Sequence, residues 1–182
     1  DNGTGGTVSL MHNTATKLAT TSTGIDVTGI SVSDGMSTNT SGTSNFIAGV
    51  NAGNSITSGG NYNTVVGDEA GTAITTGDQN TAVGFEALKT ATTAGNNTAL
   101  GFKSLRLNTT GNANVAVGVI ALGANTTAVD NTAVGYNSLG ANTTGDRNTA
   151  LGRNSFASNV DGDRGVAVGY DALSSQDPSS NV

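Results

Sequence analysis

The sequence predicts an all-β fold, a parallel β-roll or β-solenoid of eight coils of about 17 residues behind a small β-strand module. Three observations carry this reading. A motif ending in glycine recurs at near-constant spacing, the residues around it are β-branched and in short runs, and the chain is poor in charged and large side chains. Of 182 residues, 27 are glycine, one is proline, and cysteine and tryptophan are absent. Charged residues make up 11% and aromatics 4%, too few for an ordinary globular core. The frequent Val, Ile and Thr and the modest net charge of −6 also argue against disorder. Such a chain buries itself by stacking thin layers.

The chain reads as two parts, 1–44 and 45–182. In the first, Val8 to Met11 reads as a strand, Asn13 to Thr16 as a turn and Lys17 to Thr20 as the partner strand. A second strand pair is expected around Ile25 to Val32, punctuated by Gly24 and Gly29. Four short strands are too few to stand alone, so intertwining of three chains is expected here.

In the second part, the closing glycines are Gly49, Gly67, Gly84, Gly101, Gly118, Gly135, Gly152 and Gly169, spaced once by 18 residues and then six times by 17. The units start at Asn45, Asn63, Asn80, Asn97, Asn114, Asn131, Asn148 and Gly165, with consensus N-T-A-[VL]-G-x-x-[AS]-L-x-x-N-T-T-G-x-x. A 17-residue period does not fit a heptad-based helix. Each unit is therefore expected to form one coil with two short strands, paired in parallel with its neighbours about 4.8 Å away.

The columns of this repeat have physical readings. The fifth-column glycine suits a positive φ or a close turn. The seven asparagines at the unit starts form a stacked amide ladder. Column four (Ala48, Val66, Val83, Leu100, Val117, Val134, Leu151, Val168) is one apolar ridge and column nine (Leu88, Leu105, Leu122, Leu139, Phe156, Leu173) a second. The first two units carry Gly53 and Gly71 at column nine. They place Ile56 and Ile74 at column twelve, where Asn108, Asn125, Asn142, Asn159 and Gln176 stand later. This is a compensating apolar swap that conserves volume. Column eight is always Ala or Ser, as close approach of backbones requires. Two large apolar side chains per coil make a thin core, so a further surface is expected to be buried between chains.

Composition excludes several function classes. No basic patch exists to neutralise phosphates or anionic lipid, so neither nucleic acid nor membrane is an expected partner. No apolar run approaches the ~20 residues of a membrane span. His12 is the only histidine and has no orienting partner in sequence. Asp146, Asp161 and Asp163 sit at Thr-Gly corners without the repeat of calcium-binding β-rolls, and read as solvated corner charges. The Asp146-Arg147 and Asp163-Arg164 pairs place alternating charge along one edge. The Thr column at 64, 81, 98, 132 and 149 is interrupted by Val115 and Val166, which argues against an ice-binding array. No catalytic site, cofactor or metal is expected, and the chain is not read as an enzyme. A start at Asp1 and a repeat running up to Val182 are read as a fragment of a longer chain.

The residues Val115-Ala116-Val117-Gly118 and Val166-Ala167-Val168-Gly169, with the N-T-A-V-G versions elsewhere, resemble the S-V-A-I-G motif of YadA-like head domains of trimeric autotransporter adhesins. That resemblance implies left-handed β-rolls in a threefold bundle, although those heads usually have a shorter unit. The longer N-T-A-V-G-Y-x-[AS]-L…N-T-T-G form is similar to repeats of bacteriophage tail fibres. The segments Gly6–His12 and Lys17–Gly29 are similar to stretches of marine phage tail fibres. The implied protein is a homotrimeric virion component, a shaft or attachment segment. Its expected partners are its own copies, other tail or fibre proteins, and a host surface glycan or envelope protein. The competing expectations are the head of a bacterial surface adhesin and a self-assembling extracellular filament.

Overall fold

The computed structural model describes the backbone of three strands near the N-terminus and all of residues 41–175. The chain divides into two compact units, Asp1–Met36 and Ser37–Val182. The first boundary therefore falls ahead of the first repeat.

In the N-terminal unit, β1 (Ser9–His12), β2 (Ala15–Thr21) and β3 (Gly24–Val27) form an antiparallel sheet in the order β1-β2-β3. Leu10 pairs with Leu18, and the register slips between Leu10 and Met11. The expected hairpin is present, with β2 longer than its sequence signal. Gly24 begins β3, which pairs with β2 instead of starting a separate strand pair. The expected extension toward Val32 lies outside the described residues.

The second unit is a β-solenoid. Eight three-residue strands stack in one parallel sheet in strict chain order: β4 (Phe46–Ala48), β5 (Thr64–Val66), β6 (Thr81–Val83), β7 (Thr98–Leu100), β8 (Val115–Val117), β9 (Thr132–Val134), β10 (Thr149–Leu151) and β11 (Val166–Val168). Coils 1 to 8 are numbered by these strands, each beginning one residue before its strand. Every strand lies in register with the next, so Thr81 faces Thr98 and Ala82 faces Ala99. The one 18-residue unit is absorbed at a corner. Thr57 N–H donates to the Thr75 carbonyl and Gly60 aligns with Gly77, so the extra residue sits at Ser58–Gly59 and leaves both faces aligned.

Each coil has one strand, not the two expected from sequence. The opposite side is a chain of turns in which alternate residues have positive φ. Column seven (Glu69, Lys103 and Ile120, φ 52 to 58°) and column nine (Leu88, Leu105, Leu122 and Leu139, φ 48 to 52°) are both left-handed. The N–H groups of columns seven and nine reach opposite neighbours, while the column-eight N–H between them closes a turn within its own coil, as Ala87 does to the Gly84 carbonyl. Glu86 N–H donates back to Asp68 and Leu88 N–H donates forward to Ser104. Coil-to-coil hydrogen bonding thus continues without extended geometry. A leucine at such a φ is strained by about 1–2 kcal/mol. Its complete burial offsets that cost.

The interior is narrower than the sequence suggests. The middle strand residue points inward, and from coil 3 onward it is always alanine: Ala82, Ala99, Ala116, Ala133, Ala150 and Ala167. It meets column eight (Ala87, Ser104, Ala121, Ser138) and the column-nine leucines. The column-eight serines turn their hydroxyls to the column-five carbonyl, as Ser104 Oγ does to Gly101 at 3.0 Å. Column four, expected to share the core, faces outward. Strand side chains alternate, so with the middle residue inside, columns two and four both point away; the inside admits Ile47 and Val65 only in coils 1 and 2, where column nine is glycine.

Candidate functional site

The residues singled out by sequence hold the coils together. Each unit-start asparagine is buried, and all share a bond to the next coil's backbone N–H and one across their own coil. The Asn114 Oδ1 accepts from Asn131 N–H at 3.0 Å and from Asn131 Nδ2 at 3.2 Å. The Asn114 Nδ2 donates across its own coil to the Ala128 carbonyl at 2.8 Å, which closes the turn. The pattern runs from Asn45 to Asn148, whose Oδ1 accepts the Gly165 N–H where the asparagine column ends. The fifth-column glycines have φ between 123 and 137°. A methyl group at Gly84 would stand 2.6 Å from the Gly101 carbonyl oxygen, so stacking excludes a side chain as strongly as φ does. Gly169 has the φ but no such neighbour.

Sequence reasoning missed three further ladders. Column twelve forms a second buried amide row: Asn125 Nδ2 donates to Asn108 Oδ1 at 2.8 Å and Asn159 Nδ2 to Asn142 Oδ1 at 2.8 Å. Column thirteen is a row of hydroxyls, each donating to the next coil's carbonyl, as Thr109 Oγ1 does to Thr126 at 3.0 Å. The corner aspartates also clamp coils. The Asp146 carboxylate accepts Val129 N–H at 2.8 Å, and Asp163 accepts Asp146 N–H at 2.7 Å. Those two are therefore more than solvated charges, while Asp161 is exposed. The edge charges pair between coils: Arg147 Nε lies 3.9 Å from Asp130 Oδ2 of the coil before. The signal for these ladders was the repetition of a polar residue in one column, the same signal that marked the first asparagine row.

Two apolar rows lie on the outside of the coils, one on the strands and one just past the glycine corner. Column four presents Val66, Val83, Leu100, Val117, Val134, Leu151 and Val168, with Leu100 38% and Val168 65% exposed. Column six presents Phe85, Phe102, Val119, Tyr136 and Tyr170, all exposed. Phe85 and Phe102 stack at 5.5 Å, with the Lys103 ammonium 4.8 Å from the Phe102 ring centre. Arg153 lies over both tyrosine rings, 5.2 Å from Tyr136 and 5.8 Å from Tyr170.

Beside these rows runs a charge network. Lys89 bonds Glu69 and, at 2.9 Å, Glu86; Lys103 and Arg106 approach the other Glu86 oxygen at 3.6 and 3.5 Å. The Lys89 bond, helped by the charges of Lys89 and Lys103, holds the Glu86 carboxyl below its ordinary range against the opposing effect of burial. Glu69 and then Glu86 raise the Lys89 ammonium. Next to the network an open recess of about 300 Å³ crosses coils 4 to 6.

Among the described residues no three His, Cys, Asp or Glu side chains gather as metal ligands. The side chain of His12 lies outside the described residues. No helix among them is long and apolar enough to cross a membrane. Comparison with protein-family models, curated proteins and solved structures finds no match. The chain's chemistry is therefore read from its own surfaces.

Proposed function

We propose that this chain is a rigid segment of a homotrimeric fibre, a structural part of a phage tail fibre that spaces and presents an attachment surface toward a host-cell envelope. The observation that carries it is the outward apolar row of column four, unbroken along the stack, with the column-six apolar row beside it interrupted only by Asp68 and Arg153. A soluble chain rarely leaves so long an apolar strip bare. A threefold bundle along the stack direction lets each copy cover the strip of its neighbours, with repeat matched to repeat. Coils that bond only to neighbouring coils make a one-dimensional rod suited to holding a tip away from a particle. The resemblance of the repeats and of the Gly6–Gly29 region to tail fibres supports a virion setting, with other fibre proteins as end-on partners. Repetition in three copies multiplies weak surface contacts with a glycan or envelope protein.

Sedimentation at micromolar concentration is expected to give three times the chain mass. The paired substitution Val117→Lys and Val134→Lys, on the exposed row, is expected to give a folded monomer. A folded parent monomer overturns the trimer. For attachment, the trimer is added to susceptible cells before phage, and blocked adsorption is expected. No competition at saturating protein leaves a shaft without a binding role.

A further inference from the structure

The recess across coils 4 to 6 is produced by a step in the tenth column. Lys89 and Arg106 fill that column in coils 3 and 4, and Gly123 and Gly140 replace them in coils 5 and 6. Gly123 makes a floor where a ligand can approach the backbone. The Asn137 side chain folds over Gly140 into space that a Cβ there would occupy. Leu107 and Ile120 line the sides, and Lys103 and Arg106 border one end.

These borders differ in chemistry. Three of the seven Lys and Arg residues of a chain with net charge −6 gather here. Lys89 is engaged by two carboxylates, whereas Lys103, which also lies over the Phe85 and Phe102 rings, and Arg106 share one oxygen of Glu86 at 3.6 and 3.5 Å. A guanidinium has five donors, and among the described residues Arg106's only side-chain hydrogen bond goes to Glu86. The cationic end therefore suits an anion, with Arg106 able to meet a carboxylate in a paired geometry. A bare anion would make no use of the Leu107 and Ile120 walls, and an aliphatic acid would make no use of the Asn137 amide. A pyranose bearing a carboxylate uses all three: its anion at the cations, its C–H face on the aliphatic walls, its hydroxyls at the amide. The size is at the lower end of small-ligand sites.

We propose that this recess binds one acidic sugar residue, a carboxylated pyranose of a surface polysaccharide. This deepens the attachment reading above and rests on it for biological meaning, though not for its test.

The test is a titration of the full chain with glucuronate, glucose and inorganic phosphate, read by amide NMR shifts. Glucuronate is expected to move the Arg106, Gly123 and Gly140 resonances. Glucose and phosphate are each expected to bind at least tenfold more weakly. Arg106→Gln is expected to weaken glucuronate at least tenfold. Gly123→Leu fills the recess on backbone outside the left-handed region, where the nearest atom to a new Cβ is the Ile120 carbonyl oxygen at 3.1 Å. It is expected to abolish binding with an unchanged circular dichroism spectrum. Lys103→Gln is the second variant should Gly123→Leu misfold, and is expected to weaken binding at least threefold. Glucose or phosphate binding as well as glucuronate, or parental affinity in Arg106→Gln, overturns the site. Loss of the recess with continued blocking of adsorption leaves the attachment reading standing without it. Glucuronate binding with no blocking keeps the recess and removes attachment.

Discussion

Coils 1 and 2 fill their cores differently from coils 4 to 7. In coil 2 the left-handed column-nine position is Gly71, and Ile74 reaches across to fill the space; a Cβ on Gly71 would lie 2.8 Å from Ile74 Cδ1. In coil 5 the same position is Leu122 at φ 49°, and Asn125 takes the place of the isoleucine. Coil 3 stands between them with Leu88 and Ala91. The first solution places glycine where glycine is at ease and draws its volume from elsewhere. The second accepts backbone strain at leucine and gains a column position for an amide that bonds to the coils on both sides. The volume is conserved once the middle strand residue is counted, Val65 in coil 2 against Ala116 in coil 5, and what changes is whether the twelfth column carries information between coils.

The largest expected effect comes from mixing the two solutions. Ile74→Asn alone should destabilise by about 3–4 kcal/mol, since it opens a cavity and buries an amide between Ile56 and Ala91 with no ladder to join. Gly71→Leu alone should also destabilise, by overpacking against Ile74 and Val65. Combined, and with Val65→Ala to make the room that the leucine coils have, they should recover at least half of the Ile74→Asn loss in denaturant melts of the full chain. Strict additivity would mean that these residues do not share one space.

The reverse transplant, Leu122→Gly and Asn125→Ile with Ala116→Val to match Val65 of coil 2, should cost less, about 1–2 kcal/mol. It keeps the core volume and relieves the strained leucine, but Asn108 Oδ1 loses its donor and Asn142 Nδ2 loses one of its acceptors. Amide hydrogen exchange should rise most in coils 4 to 6; a uniform rise along the stack would argue against a local ladder.

The smallest effect isolates strain from packing. Ala113 is exposed and has φ 56°. Ala113→Gly should stabilise by about 0.5–1 kcal/mol, the relief of left-handed strain less the added freedom of the unfolded chain. A lower melting midpoint for this variant would show that the left-handed positions are not under strain, and the contrast between the Gly71 and Leu122 coils would then be one of packing alone.

Some features could be read before any coordinates. The period gives the number of coils. The invariant column-five glycine marks a close approach, and the Gly-for-Leu exchange at column nine with isoleucine at column twelve is visible as a volume swap. That same exchange also held an unused signal. A column that accepts either glycine or leucine hints at positive φ, yet leucine is so poor a residue there that its propensity points the other way. The second asparagine row was open to the argument applied to the first, but its column is interrupted by Ile56, Ile74 and Ala91. The glycine step at 123 and 140 looks in sequence like ordinary corner variation, because nothing local says that Lys103 and Arg106 of the coil before will border the gap.

The sequence by itself determined the architecture, because a strict period of short β-branched motifs and glycines has few ways to satisfy its backbone other than parallel stacking. Only the tertiary structure decided which side of each strand is inside. Hydropathy ranks Val117 above Ala116, yet Ala116 is buried and Val117 faces out. The reason is the width of the coil. Asn114 spans it to reach the Ala128 carbonyl, Leu122 occupies the remaining space, and beside them only a methyl group fits.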